Sequence, residues 1–421
     1  MPAGPPLRVV SRVERVTSKW VGPCFLLFMV AGLLTNGYVI ATGKLNLFAR
    51  TPSWSGFMHG ESMEDIALAI SNAPVPKLSA RIEREASWLV TRDLGGRVRE
   101  GERDWLFLAD EFTPHAKAGA SAASRAEEVI ALNKRLAARG IALLVAVVPD
   151  KSRIEADRIG ALHRSPGFAS RVTDWVGTLT AGGVRAVDLT PALAAVKGAT
   201  GATAFLRTDT HWGEEGAAAA AKVVAQQVRA LGMTPSPSVQ TVIATQTRVQ
   251  RPGDLVRLAG IDGLPLALQP TPEAVQRTTF EAKVVETATT AATSAPSAST
   301  SPTTSPTTSP SATPSASPLV SPSAASAPTQ EQDDSDLFGD DNLPNIVLVG
   351  TSFSTTSNFA PFLDFDLGTK VANFGKEGGD FAGSIKAYLN GPSFKQTPPK
   401  LIIWEIPERV LGMNRNGDKV E

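Results

Sequence analysis

The sequence predicts an α/β protein: a parallel sheet flanked by helices, with one transmembrane helix at its N-terminus. Three observations predict it. Residues 141–148, then 184–189 interrupted by Arg185 and Asp188, then 346–349 and 401–406, are short apolar runs that read as strands, the first nearly unbroken as expected of a strand covered on both faces. Apolar residues at helical spacing separate the first two runs, and helix alternating with strand implies crossover connections in a parallel sheet. Ahead of these, residues 20–43 form an uncharged segment of about the length that crosses a bilayer.

The N-terminus comes first in the chain. Arg8, Arg12, Arg15 and Lys19 precede the apolar span, which predicts residues 1–19 in the cytoplasm and the remainder beyond the membrane, in a bacterium the periplasm. A cleaved signal peptide is the rival reading, because Val39-Ile40-Ala41 resembles a cleavage site. The apolar run exceeds a usual signal core, so an uncleaved anchor over residues 20–43 in the inner membrane is preferred. Residues 44–100 read as a juxtamembrane helical region, with Trp54, Phe57, Ile66, Leu68, Ile82 and Leu89 scattered among charges as on one or two surface helices.

Residues 101–286 open the main domain. Trp105-Leu106-Phe107 reads as a core entry strand after a turn. Residues 124–139 carry Val129, Ile130, Leu132 and Leu136 between charges and stop at Gly140, a usual helix terminator. Phe168, Val172, Trp175, Val176 and Leu179 keep helical spacing up to Gly182-Gly183. Residues 214–231 are rich in alanine and begin with acids that suit a helix N-terminus. Gly253-Asp254-Leu255 lies on a turn, followed by a Pro- and Leu-rich stretch to Leu268. Residues 287–342 collapse to Ser, Thr, Pro and Ala and then to acids; too little apolar surface remains to offset ordering entropy, so a disordered insert is expected. Residues 343–421 are too short to stand alone and are expected to complete the sheet, with strands at 346–349, near 370–374 and at 401–406.

Composition narrows the function. Lys and Arg total 41 and so do Asp and Glu, a zero formal net charge that offers no general attraction to nucleic acid, and no such partner is expected. The single cysteine, Cys24, excludes an intramolecular disulfide and a Cys-based zinc site. Of four histidines, His59, His115 and His163 read as loop residues. His211 differs: it follows Asp209 by two residues, and in an extended segment such residues project to one side. Asp209 is then placed to fix one imidazole nitrogen and leave the other free as a base. Ser352 follows the 346–349 strand, where open α/β sheets hold their chemistry. Ser352, His211 and Asp209 therefore fit nucleophile, base and orienter by type. Ser354 is a competing nucleophile deeper in the turn. Gly350 and Thr351 leave room for the sharp turn, the Ser352 amide is a candidate oxyanion donor, and Asn373, Gly375, and Gly378 or Gly379 are candidates for further donors. No second histidine lies at ligand spacing from His211, so no metal is expected, and no cofactor is called for. Glu405 and Arg409 read as a structural ion pair at the end of the last strand.

Several stretches together resemble one family. They are Trp105-Leu106-Phe107 leading to Asp110-Glu111-Phe112, Val148-Pro149-Asp150-Lys151, Asp209-Thr210-His211-Trp212, Gly253-Asp254-Leu255, Gly350-Thr351-Ser352-Phe353-Ser354 and Trp404-Glu405-Ile406-Pro407-Glu408-Arg409. Their order and spacing are similar to the SGNH-hydrolase-like alginate O-acetyltransferases of the AlgJ and AlgX type, nearest the membrane-anchored AlgJ branch. The resemblance implies a circularly permuted SGNH-like sheet in which Asp and His precede Ser, with Ser352 accepting the acyl group, His211 as general base and Asp209 as its orienter. It further implies O-acetylation of an exopolysaccharide, alginate-like or cellulose-like. An MBOAT-class membrane acyltransferase would supply acetyl, and other exopolysaccharide-secretion components would be partners. Two alternatives stay open on the residues: an acetyl-esterase using the same triad, and a non-catalytic polysaccharide-binding scaffold subunit. The long insert departs from the family pattern.

Overall fold

The computed structural model describes residues 19–200, 202–283, 343–414 and 418–420, with backbone alone at 198–200. Arg8, Arg12 and Arg15 and the Ser/Thr/Pro-rich insert expected at 287–342 lie outside the described residues. In chain order the strands are β1 Val98–Glu100, β2 Leu106–Leu108, β3 Ala142–Val148, β4 Arg185–Asp188, β5 Gln240–Arg251, β6 Glu273–Lys283, β7 Ile346–Val349, β8 Ala372–Asn373 and β9 Leu401–Pro407. β4, β3, β9, β7 and β8 form one sheet in that order, and every pairing in it is parallel.

The unbroken apolar runs follow from this arrangement, because helices cover both sheet faces. On β3, Leu143, Val145 and Val147 join the core against helices Ala118–Ala137 and Arg171–Ala181, while Leu144, Ala146 and Val148 join the core against Glu214–Arg229 and Phe359–Leu367. β9 alternates in the same way, with Ile402, Trp404 and Ile406 on the first side and Leu401 and Ile403 on the second. Strand period two thus divides one hydrophobic run between two cores. β7 pairs with β9, so the chain after the insert enters the middle of the sheet begun by β3.

Several elements differ from the sequence expectation. Residues 54–91 hold three helices, Trp54–Met58, Glu61–Ser71 and Pro74–Thr91, separated at Gly60, whose φ is 82°, and before Pro74 at N1. The helix expected from 124 begins at Ala118, because its first turns are Ala, Gly and Ser and carry no apolar period. Helix Thr190–Thr200 was not expected. β5 and β6 form a separate antiparallel ribbon that the sequence did not announce: most of its residues are exposed, so they lack the one-sided apolar alternation that marks a strand. A small third core joins Trp88, Leu94, Val98 and Leu106 to Leu255, Val256 and Ile261. It fastens helix Asp254–Leu258 to β1 and β2, below the Asp209 loop.

The N-terminal helix Val21–Ala41 has 21 residues and is long and apolar enough to cross a membrane. At 1.5 Å per residue it extends about 30 Å, the thickness of a bilayer's hydrocarbon.

Candidate active site

Asp209 and His211 sit on a loop whose two ends are tied together. Phe205 bridges Trp212, the Leu206 amide donates to the His211 carbonyl at 3.0 Å, and the Gly213 amide donates to the Ala204 carbonyl at 2.9 Å. Helix Glu214–Arg229 begins directly after it. Within the loop, Asp209 Oδ1 accepts from the His211 amide at 3.0 Å and lies 2.6 Å from His211 Nδ1. His211 Nε2 lies 2.6 Å from Ser352 Oγ. With Nδ1 protonated against the carboxylate, Nε2 is left as acceptor for the Ser352 hydroxyl proton. The three side chains that the sequence paired by type are brought into one hydrogen-bonded line.

Asp209 is buried, and its second oxygen accepts from Arg251 Nη2 and from the Asp254 amide, each at 3.2 Å. Burial disfavours its charge, but the hydrogen bond and charge of His211, with Arg251 behind them, outweigh burial and hold the carboxyl well below the usual carboxylate range. A depressed carboxyl contributes stability that is present above its unfolded pKa of about 3.9 and is lost as pH falls toward the folded value. Acid unfolding followed by circular dichroism should therefore show a loss beginning near pH 4. Arg251→Gln narrows that window. It should also lower neutral-pH stability by less than about 1 kcal/mol, because Arg251 is partly solvated.

The loop rests on groups that sequence reasoning did not assign. Lys151, fully buried at the end of β3, donates from Nζ to the carbonyls of Leu106, Arg207 and Asp209 at 2.6, 2.9 and 3.0 Å. Its ammonium also lies 5.0 Å from the ring centres of Trp105 and Phe107. Burial pushes its pKa down to about 8, against the pull of Glu111 and other carboxylates. Glu273, at the start of β6, accepts from the Arg207 and Thr208 amides at 2.6 and 3.0 Å. Asp254 accepts from the Thr210 amide at 2.6 Å, and its other oxygen stands 3.6 Å from His211 Nδ1. Burial, then the charge of Asp209, raise the Asp254 pKa. Gly253 is required here, since a Cβ would lie 1.8 Å from the Thr208 carbonyl oxygen.

Ser352 begins a single 3-10 turn, Ser352–Ser354, beyond the carboxyl end of β7. Glu405 of β9 holds that turn: it accepts from the Thr351 amide at 2.7 Å, the Thr351 hydroxyl at 3.0 Å and the Ser354 hydroxyl at 3.1 Å. Ser354 is thereby buried and tied to Glu405, away from His211. The expected Glu405–Arg409 ion pair is replaced by these bonds, and the Arg409 guanidinium lies 5.3 Å from the Phe353 ring centre. Burial raises the Glu405 pKa. Gly350 is the second obligatory glycine, because a Cβ there would come within 2.4 Å of Ser354 Oγ.

Among the oxyanion candidates, the Ser352 amide has no hydrogen-bond acceptor among the described residues. Asn373 Nδ2 donates to the Ser354 carbonyl at 2.8 Å and keeps a second N–H. The Gly375 amide donates to Asn373 Oδ1 at 2.9 Å, and the Gly379 amide closes a turn to the Lys376 carbonyl at 3.1 Å, so the structure engages both elsewhere. Asp209, His211 and Asp254 bring possible ligand atoms within 4.8 Å of one another. The Asp209 oxygens are already occupied by two backbone amides, His211 and Arg251, a set that suits a hydrogen-bonded dyad better than a cation.

The chain is similar to known proteins over most of this architecture. The family described as "SGNH hydrolase-like domain, acetyltransferase AlgX" matches residues 98–299 and 285–408. The probable alginate O-acetylase AlgJ of Pseudomonas aeruginosa is 28% identical over 344 residues, covering 81% of this chain and 77% of that protein. The AlgJ of Pseudomonas putida is 24% identical over 390 residues, covering 91% and 88%. The alginate biosynthesis protein AlgX of Pseudomonas fluorescens is 44% identical over 80 residues, covering 19% and 16%. The solved O-acetyltransferase domain of Pseudomonas putida AlgJ superposes with a TM-score of 0.57 at 23% identity, over 76% of this chain and 94% of that one. The family match spans well over half of the chain and the parallel sheet lies within it: the chain belongs to the SGNH hydrolase-like acetyltransferase family of AlgX.

Proposed function

We propose that this chain is an O-acetyltransferase that moves acetyl groups to hydroxyls of an alginate-like exopolysaccharide through an acyl-Ser352 intermediate. The line from Asp209 through His211 to Ser352, with both contacts at 2.6 Å, is the observation that carries the reading. His211 Nε2 takes the Ser352 proton as Oγ attacks the donor's acetyl carbon; collapse of the tetrahedral intermediate returns that proton to the leaving group. A sugar hydroxyl then gives its proton to Nε2, attacks the acyl carbon, and Ser352 leaves reprotonated. The free Ser352 amide and the spare Asn373 N–H are the oxyanion donors, each expected to contribute about 10²-fold or more.

The length and composition of Val21–Ala41 support a single-pass inner-membrane anchor with the catalytic domain in the periplasm. On that reading cytosolic acetyl-CoA cannot reach Ser352, and an MBOAT-class membrane acyltransferase delivers the acetyl group. Similarity to AlgX and AlgJ supports alginate over cellulose as the acceptor and other exopolysaccharide-secretion components as partners.

The test is acceptor dependence. The detergent-purified chain is given an activated acetyl ester with and without mannuronate oligomers, and acetylated oligomer and free acetate are measured by mass spectrometry. Transfer should exceed hydrolysis severalfold when acceptor is present. Acetate release unaffected by acceptor, with no acetylated oligomer, identifies an esterase instead.

A further inference from the structure

The helix Pro74–Thr91 presents an apolar face where a soluble domain would place charge. Its inward side holds Trp88, which is buried and donates to the Leu268 carbonyl at 2.7 Å. Leu78, Ile82 and Leu89, spaced to share one helical side, are instead 57%, 56% and 50% exposed. Trp54 and Phe57 on helix Trp54–Met58 stack on each other with ring centres 5.8 Å apart, and Trp54 is 77% exposed. None of these side chains belongs to the three cores or to the active site.

Their position names what covers them. Helix Pro74–Thr91 packs against the apolar span Val21–Ala41, so its outer face adjoins the surface that the span itself presents to lipid. The chain leaves the span beside Tyr38 and Lys44, whose ammonium lies 5.9 Å from the Tyr38 ring centre, an aromatic and basic pair suited to the headgroup level. Glu85, on the same helical side, is paired with Arg81 at 2.8 Å, so the stripe carries no unpaired carboxylate, and exposed Lys77 flanks it as on helices that lie in the plane of a membrane interface. We propose that Leu78, Ile82 and Leu89, with Trp54 and Phe57, form a lipid-contacting surface that seats the domain on the leaflet from which the span emerges. This rests on the reading of Val21–Ala41 as a membrane anchor. Such seating fixes the domain close to the membrane instead of leaving it free on a tether, and so restricts where Ser352 meets a donor delivered from the bilayer.

The chain's single cysteine makes a clean test. Full-length protein is reconstituted in vesicles of phosphatidylethanolamine and phosphatidylglycerol and nitroxide-labelled one site at a time. The sites are native Cys24, then Phe57→Cys, Leu78→Cys, Ile82→Cys and, as an aqueous control on the ribbon, Thr245→Cys, each in a Cys24→Ala background. Collision with oxygen is compared with collision with a water-soluble nickel chelate. At sites 57, 78 and 82 the oxygen-to-nickel ratio should exceed that at site 245 severalfold and approach that at Cys24. If Cys24 reads as lipid-embedded while sites 57, 78 and 82 match site 245, the seating is overturned and the anchor stands. Protection from both reagents at those sites also overturns it, because protein then covers the face. An aqueous reading at Cys24 itself removes the anchor and the seating together.

Discussion

Asp209→Asn is expected to lower kcat by about 10⁴-fold with little change in the fold, because the amide can present its N–H to His211 Nδ1 and reverse the tautomer. Nε2 then carries the proton and has no lone pair for the Ser352 hydroxyl. The short contact makes the effect large: one Asp209 oxygen stands 2.6 Å from His211 Nδ1 and also accepts the His211 amide. Asp254, whose Oδ2 is 3.6 Å from Nδ1, is the nearest substitute. Steady-state kinetics with an activated acetyl ester, alongside a thermal melt, checks it. A loss below about 10-fold would assign the orienting role to Asp254.

Lys151→Met should be the most damaging substitution outside Asp209, His211 and Ser352. Met matches the stem of the side chain but removes the donors to three carbonyls, one of them that of Asp209 itself. The Arg207 carbonyl keeps the Leu106 amide as a donor, but those of Leu106 and Asp209 lose the ammonium; each buried acceptor left without a partner costs about 1–3 kcal/mol, so a stability loss of about 2 kcal/mol or more is expected. The Arg207–Asp209 backbone would also relax, and displacement of a catalytic group by about 1 Å can cost about 10²-fold in rate. Differential scanning calorimetry and kcat should fall together. An unchanged melting temperature would mean that the loop is held by Glu273 and Asp254 alone.

Much of the frame is legible in the sequence because burial on both faces leaves an unmistakable mark. β3 and β7 appear as unbroken runs of Ile, Leu, Val and Ala, and β9 as a run of Ile, Leu and Trp interrupted by Glu405. The Asp209 and His211 pair is legible because an i, i+2 spacing on an extended loop is a local geometric fact. Ser352 could be chosen over Ser354 only by position, whereas the structure separates them by chemistry: Ser352 faces His211 and Ser354 faces Glu405. Glu405 reads from the sequence as an ion-pair partner of Arg409, until the parallel pairing of β7 with β9 sets it behind the Thr351 turn. Lys151 falls in a stretch that carries the family resemblance but nothing local gives its role, and Arg251 and Glu273 have no local signature. Each reaches the site through tertiary contacts between segments far apart in the chain, and Arg251 and Glu273 also ride on a ribbon too polar to look like strands.

An acyl group held on Ser352 is directly visible by mass. Full-length chain, wild type and Ser352→Ala, is exposed to an activated acetyl ester, quenched in acid, and its intact mass recorded. Wild type should gain one acetyl group, mapped by peptide fragmentation to Ser352, while Ser352→Ala gains none and melts at the same temperature. An acetyl group of equal yield on both proteins, or none on a wild type shown to be folded, would contradict the assignment of Ser352 as the nucleophile.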